Sequence, residues 1–513
     1  MTNLVRDDRD ESTGSHGLGA SSVAPLDAAA LRRAFRSAGY TTDAVIDRIG
    51  ALGQEGLGRN CTVPSDAALA DAYDPQAALI RMFLLQQEVP VAAVAGLIDL
   101  DGLVKGGLIE VEGQRARALV DVHPFASPDD DASGWVVSDL TPGLDQVVAP
   151  TRPDYVLGVS PASTTLAQLV ARAPVESALD LGTGCGVQSL HLARHARRVV
   201  ATDINERAIA LAGLTLALSG AEAELRLGSL FEPVAGERFD LIVSNPPYVM
   251  SPPSEEASTL AYRETNLLGD GLVEAIVRQA PAHLTPGGSL QLLTNWAVVE
   301  GQDWRDRLSS WSPECDLWVI ERERLDVFSY VEMWLTDAGL AGSPEWLPAY
   351  RRWLAYFDEL GIREVGMGWI LLTRVVDREP VHRLESWPHA VNQPVGEAFA
   401  RHRVALEASL LPTDALLASA PRLVDVVQET IGAPGEADPQ HIVLRQRRGF
   451  LRAIEVGTAE AAVFGALDGD LTVGQVLAAV AEVLGLDPVE LSAGMIPLIR
   501  EAMRDQFLEV PRP

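Results

Sequence analysis

The stretch FDLIVSNPPYVMSPP, from Phe239 to Pro253, ends an apolar run on an asparagine, two prolines and a tyrosine. Proline fixes φ and removes a backbone donor, so Pro246 and Pro247 leave carbonyls facing outward as pure acceptors. Asn245 adds a side-chain acceptor oxygen. Tyr248 adds a ring against which a flat group can lie. These four are the candidate catalytic residues, a small rigid site for an NH₂ group. The nitrogen of an amide or an aminopurine is conjugated and a poor nucleophile. Two acceptors on its hydrogens, Asn245 and the Pro246 carbonyl, favour a pyramidal nitrogen and aim its lone pair. That is positioning with electrostatic stabilisation of developing positive charge, without a covalent intermediate. No strong base is required, because the product nitrogen can lose its proton to solvent. The plainer alternative is a tight exit from a strand, and what precedes the motif decides between the two.

Upstream, ALDLGTGCGVQSLHLARHARR places a strand over 178–181 before a glycine-rich turn and a helix from about Val187. Gly182, Gly184 and Gly186 remove side chains where the backbone turns tightly and a ligand can lie against it, with Thr183 between them. Asp180, two residues before the first glycine, is a carboxylate suited to a ligand carrying an amine. The next strand, RVVATD, ends on Asp203, 23 residues after Asp180. An acid about 20 residues on, at the second strand tip, accepts from both ribose hydroxyls and repels a 2′-phosphate. Ligands of such sheets bind outside the carboxyl ends of the strands, where both acids fall.

The elements that must position these residues alternate. From about 156 to 376 the pattern is strand then helix, the mark of an α/β domain with a parallel sheet covered on both faces. The expected strands are SALDLG, RVVATD, AELRLG, FDLIVSN, GGSLQLLTN, DLWVIERER and GWILLTRV, seven in all. The aromatic-rich helix PEWLPAYRRWLAYFDELG precedes the last and is closed by Gly361. Residues 1–24 read as a disordered tail. Residues 25–150 read as helices followed by a hairpin near Gly113, a winged-helix-like module. A proline-rich passage leads into the 151–376 domain. DREPVHRLESWPHAVNQP reads as linker, and 377–513 ends as a second mainly helical, winged-helix-like module.

LDLGTGCG, ATDIN and FDLIVSNPPY, in this order and spacing, resemble the class I S-adenosylmethionine-dependent methyltransferases, which have a Rossmann-like sheet. Within them they resemble the branch carrying N-P-P-Y, which includes release-factor glutamine methyltransferases and several rRNA and DNA amino-methyltransferases. TNLLGDGLVEAIVRQAPAHLTPGGSLQLL is also similar to the segment after that motif in the glutamine methyltransferases. The resemblance implies that Asp180, Gly182, Thr183, Gly184 and Gly186 line the methionine part of S-adenosylmethionine. It implies that Asp203 holds the ribose, that Ile204 lies against the adenine, and that Asn245 borders the cofactor as well as the substrate. Family members often carry an acid after the third strand. LRLGSLFEP has Ser229 there, so the Ser229 hydroxyl or the Leu230 backbone would meet the adenine amine.

The expected activity is therefore methyl transfer to a conjugated nitrogen. The acceptor is either a glutamine or asparagine amide of a protein or peptide, or an exocyclic amine of RNA or DNA. The G-D-G-L likeness and a net charge of −30 lean toward the amide; the two winged-helix-like flanks lean toward nucleic acid. A non-catalytic cofactor-binding scaffold and a small-molecule amine methyltransferase stay as alternatives. A 22% charged fraction and 47% hydrophobic residues are those of a soluble chain. Three cysteines, Cys61, Cys185 and Cys315, fit no zinc spacing or disulfide framework, so no metal is expected. No signal peptide and no stretch of roughly 18 uncharged apolar residues is read, so the expectation is cytoplasmic, without membrane. His191 and His195 have a metal-binding spacing but no acidic partner motif and read as surface residues. Arg194, Arg197, Arg198 and Arg207 read as a local basic patch or a solvated helix end. Tyr262, Arg263 and Glu264 are candidates for shaping the substrate pocket, and MSPPSEEAS for a mobile entrance loop.

Overall fold

The protein is seen in a computed structural model that describes residues 27–146, 152–253, 267–432 and 441–510. Its centre is one sheet of eight strands: β1 (Val175–Leu181), β2 (Ala196–Asp203), β3 (Glu224–Leu227), β4 (Phe239–Ser244), β5 (Leu284–Val299), β6 (Cys315–Asp326), β7 (Ile362–Arg374) and β8 (His382–Ser386). Their order is β8-β6-β7-β5-β4-β1-β2-β3. Only β7 runs antiparallel to its neighbours, β5 and β6. The sequence gives Leu179, Ile242, Leu292 and Ile370 to one face and Ala178, Leu241, Val243 and Leu371 to the other, the two-residue alternation of a sheet buried on both sides. Helices α3 (Gly271–Gln279) and α4 (Trp304–Ser309) cover the first face. Helix Pro161–Leu169 and residues Val395 to Phe399 pack on the second.

The eighth strand corrects the expectation of seven. It arises inside the proline-rich passage read as linker, where His382–Ser386 pairs parallel with β6 from Leu317 to Glu321. HRLES has no apolar alternation because it lies at the sheet edge and packs its faces with ion pairs. Arg383 meets Asp505 at 2.6 Å, and Glu385 meets Arg452 at 2.6 Å.

Two helices continue the turns at the strand ends, α1 (Val187–Leu192) after β1 and α2 (Glu206–Ser219) after β2. A helical hairpin, α5 (Val327–Asp337) and α6 (Trp346–Glu359), lies between β6 and β7. It forms its own aromatic core with Tyr330, Trp353, Tyr356 and Phe357.

Before the sheet come helices Ala28–Ser37, Thr42–Leu57, Val63–Leu69 and Pro75–Leu79, then a three-stranded sheet. The stretch RARALVDVHPF divides between two sheets: Arg115–Ala118 stays in that sheet, while Asp121–Ala126 pairs with Ser133–Ser138. The second hairpin lies on α2. The Val137 N–H donates to Thr215 Oγ1 at 2.8 Å and the Trp135 N–H to Ser219 Oγ at 3.0 Å. Phe35, Tyr40 and Trp135 share a single apolar core with Leu211, Leu214 and Leu218 of α2. After the sheet, helix Gly396–Ser409, an antiparallel sheet of Val426–Ile431, His441–Gln446 and Ala453–Val456, and helices Thr458–Ala466, Val473–Leu484 and Pro488–Arg504 follow. The tail expected over 1–24, Tyr262, Arg263, Glu264 and the second half of MSPPSEEAS lie outside the described residues.

Candidate functional site

The tips of β1, β2 and β4 stand side by side, because Asp180 is in register with Ala201 and Val243, and Leu181 with Thr202 and Ser244. Asp180, Asp203 and Asn245 thus reach one edge of the sheet. Gly182, Gly184 and Gly186 have φ of +77°, +54° and +82°, values open to glycine and costly for other residues. They differ in what surrounds them. A Cβ on Gly186 would meet Ala212 of α2 at 3.1 Å, so this glycine lets helix and turn close together. A Cβ on Gly182 or Gly184 would meet nothing within 4 Å, so these two keep the space above the turn clear.

Both acids are tied into the turn. Asp180 is buried, and its Oδ2 accepts from Thr183 Oγ1 and Ser189 Oγ, each at 2.6 Å. Burial pushes its carboxyl up to about 6 even though both hydroxyls oppose the shift. Asp203 accepts from the Gly184 N–H at 2.9 Å and the Asn205 N–H at 2.8 Å. Its carboxyl is also raised by burial, against those same backbone donors. A carboxylate offers about four acceptor sites over its two oxygens, so two bonds on each acid orient it without using up its capacity. Ile204, next in the chain, is 67% exposed, an apolar face held at the strand tip. Leu230 sits at φ +47° and follows Ser229 after β3. The Gly228 N–H donates to the Asp203 carbonyl and draws this loop toward the second strand tip.

Asn245 follows β4 directly. Its Oδ1 is buried and has no hydrogen-bond partner. Pro246 is buried, and Pro247 and Tyr248 are half-buried. Burial raises the Tyr248 hydroxyl above its usual range, so the ring stays neutral. Its edge meets Trp334 of α5 with centroids 6.4 Å apart. Val249 and Met250 are buried in the α5–α6 core, which anchors the motif from its far side.

Three readings of single residues are corrected. His191 is not a surface residue: it is buried, and its Nδ1 lies 2.7 Å from Asp130 Oδ2. His195 is past the end of α1, not one helical turn along it, and its ring nitrogens are buried. Arg207 leaves the basic patch, since it is buried and paired with Asp139 at 2.5 Å. For His191 and Arg207 the partner lies 61 and 68 residues away, beyond what local pattern carries. Arg198 is also engaged, by Glu224 and Glu237, whereas Arg194 and Arg197 stay exposed. Sequence reasoning passed over Ser189, one turn into α1, and the linked pair Asn295 and Tyr330. The signal for Ser189 was a hydroxyl on the first turn of the helix that follows the glycines.

Among the described residues no group of three or more His, Cys, Asp or Glu is arranged to hold a metal ion, and no helix is long and apolar enough to cross a membrane. The open cradle over Gly182 and Gly184, the two strand-tip acids, exposed Ile204 and the unpartnered Asn245 oxygen fit S-adenosylmethionine.

A doubly wound sheet with its one antiparallel strand and this arrangement at the strand tips defines a class I S-adenosylmethionine-dependent methyltransferase domain. Residues 158–300 match the family described as methyltransferase small domain. Residues 37–119 match a domain of unknown function (DUF7059). Similar curated proteins include the release factor glutamine methyltransferases of Geobacter sulfurreducens, 37% identical over 31% of this chain and 56% of that one, and of Cereibacter sphaeroides, 40% identical over 29% and 64%. The ribosomal RNA small subunit methyltransferase C of Alcanivorax borkumensis is 32% identical over 23% of this chain and 31% of its own. The chain thus spans between about a third and two thirds of the length of these relatives.

Proposed function

We propose that this protein is an S-adenosylmethionine-dependent N-methyltransferase acting on a conjugated nitrogen, either a protein glutamine or asparagine amide or a nucleobase exocyclic amine. The observation that carries this reading is the buried, unpartnered Oδ1 of Asn245, at the end of β4 beside the cofactor acids. A buried acceptor without a donor costs about 1–3 kcal/mol, which an incoming N–H would offset. Relatives named for glutamine and for ribosomal RNA methylation support both acceptor classes.

In this reading Asp180, Thr183 and the three glycines hold the amino-acid end of the cofactor, and Asp203 its ribose. Ile204 covers one face of the adenine, and Ser229 or the Leu230 backbone meets its edge. When bound, S-adenosylmethionine supplies an electrophilic methyl group on a sulfonium sulfur. Asn245 Oδ1 and the Pro246 carbonyl accept the two N–H bonds of the acceptor and turn its lone pair toward that methyl group. Tyr248 bounds the acceptor plane. The fixed proline backbone keeps both acceptors in place, so little reorganisation is needed as positive charge develops on nitrogen. The proton then passes from nitrogen to solvent.

The test is transfer of label from methyl-labelled S-adenosylmethionine to cell extract divided into nuclease-treated and protease-treated halves. Label that survives nuclease and not protease identifies an amide acceptor; the converse identifies a nucleobase. No label in either half, with the cofactor bound, sinks the reading and leaves a scaffold or a small-molecule amine methyltransferase.

A further inference from the structure

The α5–α6 hairpin is not needed to close the sheet, since β6 and β7 are antiparallel neighbours that a short turn would join. Its thirty-odd residues instead reach the strand tips and touch the chain from Tyr248 to Met250 at three points. The first is apolar: Val249 and Met250 are buried against Tyr330, Val331 and Leu335 of α5 and against α6. The second is the edge-on contact of Trp334 with the Tyr248 ring. The third is polar. Tyr330 has no exposed surface, and its Oη accepts from the Met250 N–H at 3.1 Å and from Asn295 Nδ2 at 2.9 Å.

Asn295 comes from β5, the strand beside β4. Leu292 is in register with Ser244, so Asn295 lies three residues beyond, alongside the N-P-P-Y segment. It too has no exposed surface, and its Oδ1 has no partner. A carboxamide has two arms, and Tyr330 engages one of them. A wholly buried carboxamide whose oxygen lacks a donor is expensive to carry, and an ordinary packing residue would not need it. Here it brings the hydroxyl of Tyr330 to the backbone two residues past the motif.

We propose that Tyr330, oriented by Asn295, is a positioning residue for methyl transfer: it pins the backbone at Met250 and so fixes how the acceptors of Asn245 and Pro246 face. This rests on the function proposed above. The β4 ladder holds the motif from one side and Tyr330 from the other. Two fixed ends leave the intervening five residues, Asn245 to Val249, little freedom, and the two prolines remove most of what is left.

Tyr330→Phe removes one oxygen and keeps the ring in the α5–α6 core. Three readouts follow. Hydrogen exchange at the Met250 amide is expected to speed up at least about tenfold, while amides of β1 and β2 do not change. For a methylatable acceptor, kcat is expected to fall on the order of tenfold or more with KM changed less than threefold, since the pinning acts on geometry and not on binding. The affinity for S-adenosylhomocysteine is expected to stay within about twofold. Tyr350→Phe, which removes an exposed bond to Glu332 at 3.0 Å on the outer side of the same hairpin, is expected to leave all three unchanged. Asn295→Ala tests the same bond from the sheet side should Tyr330→Phe not fold. Unchanged exchange at Met250 overturns the proposal, and so does faster exchange with full kcat. If the wild type methylates no acceptor, the proposed function fails, and the exchange experiment still decides whether Tyr330 pins the chain.

Discussion

Asn245→Ala should move function and stability in opposite directions. The Oδ1 oxygen is buried without a donor, so the folded protein carries an unmet acceptor worth about 1–3 kcal/mol. Truncation to alanine removes that cost and loses the packing of a short side chain, about 1 kcal/mol. The expected balance is a protein as stable as the wild type or up to ~2 kcal/mol more stable. Turnover should move the other way. Losing one of two acceptors aimed at the reacting nitrogen is expected to lower kcat by about 10²–10³, a loss similar to that of one oxyanion-hole donor. Thermal unfolding followed by calorimetry reads the first quantity, and methyl transfer to the identified acceptor reads the second. Binding of S-adenosylhomocysteine should weaken by no more than about tenfold, the equivalent of one hydrogen bond. A variant that loses more than ~1 kcal/mol of stability would show that Asn245 holds the strand exit together. A variant that keeps its turnover would remove the acceptor role altogether.

The remaining predictions concern the glycine turn and the buried charges. Burial holds the Asp180 carboxyl at about 6, so its cost to the folded state is present above pH 6 and is relieved as the pH falls toward ~4. In the proposed site the cofactor's amine pairs with this carboxylate in its ionised form, so S-adenosylhomocysteine affinity should drop about tenfold between pH 7.5 and pH 5; a flat profile by titration calorimetry refutes the amine contact. Gly186→Ala places a methyl 3.1 Å from Ala212 at φ +82° and should cost on the order of 2 kcal/mol of stability. Gly184→Ala meets no atom within 4 Å, so it should fold with a loss of about 1 kcal/mol and bind cofactor poorly; equal melting temperatures for the two variants would contradict this. Arg207→Met strands the Asp139 carboxylate in a buried site and should destabilise by about 3–5 kcal/mol in thermal or denaturant unfolding.

What the sequence made legible was chemistry held in short spans. Gly182, Gly184 and Gly186 announce a turn because only glycine accepts those φ values. Asp180, Asp203 and Asn245 fall at strand ends whose apolar runs are plain in the sequence. Residues whose meaning depends on a distant partner were not legible. Arg207 reads as a surface cation until Asp139, 68 residues earlier, is brought to it. His191 reads likewise until it meets Asp130, and HRLES reads as linker until Cys315–Asp326 offers a free edge. Tyr330 lies 80 residues from Met250, and nothing local marks one tyrosine among several aromatics as the one whose hydroxyl is used.

The core shared by the Ser133–Ser138 hairpin and α2 also sets an order for synthesis. Trp135 and Ser219 are 84 residues apart, and Val137 and Thr215 are 78 apart. At ordinary ribosomal rates of about 5–20 residues per second, Trp135 and its neighbours leave the ribosome roughly 4–16 s before the helix that covers them. During that interval the leading domain exposes an apolar face built around Phe35, Tyr40 and Trp135. Nascent chains halted before residue 206 should therefore be the ones that chaperones hold. Release should come with the emergence of α2, the helix that starts just past the strand tip bearing Asp203.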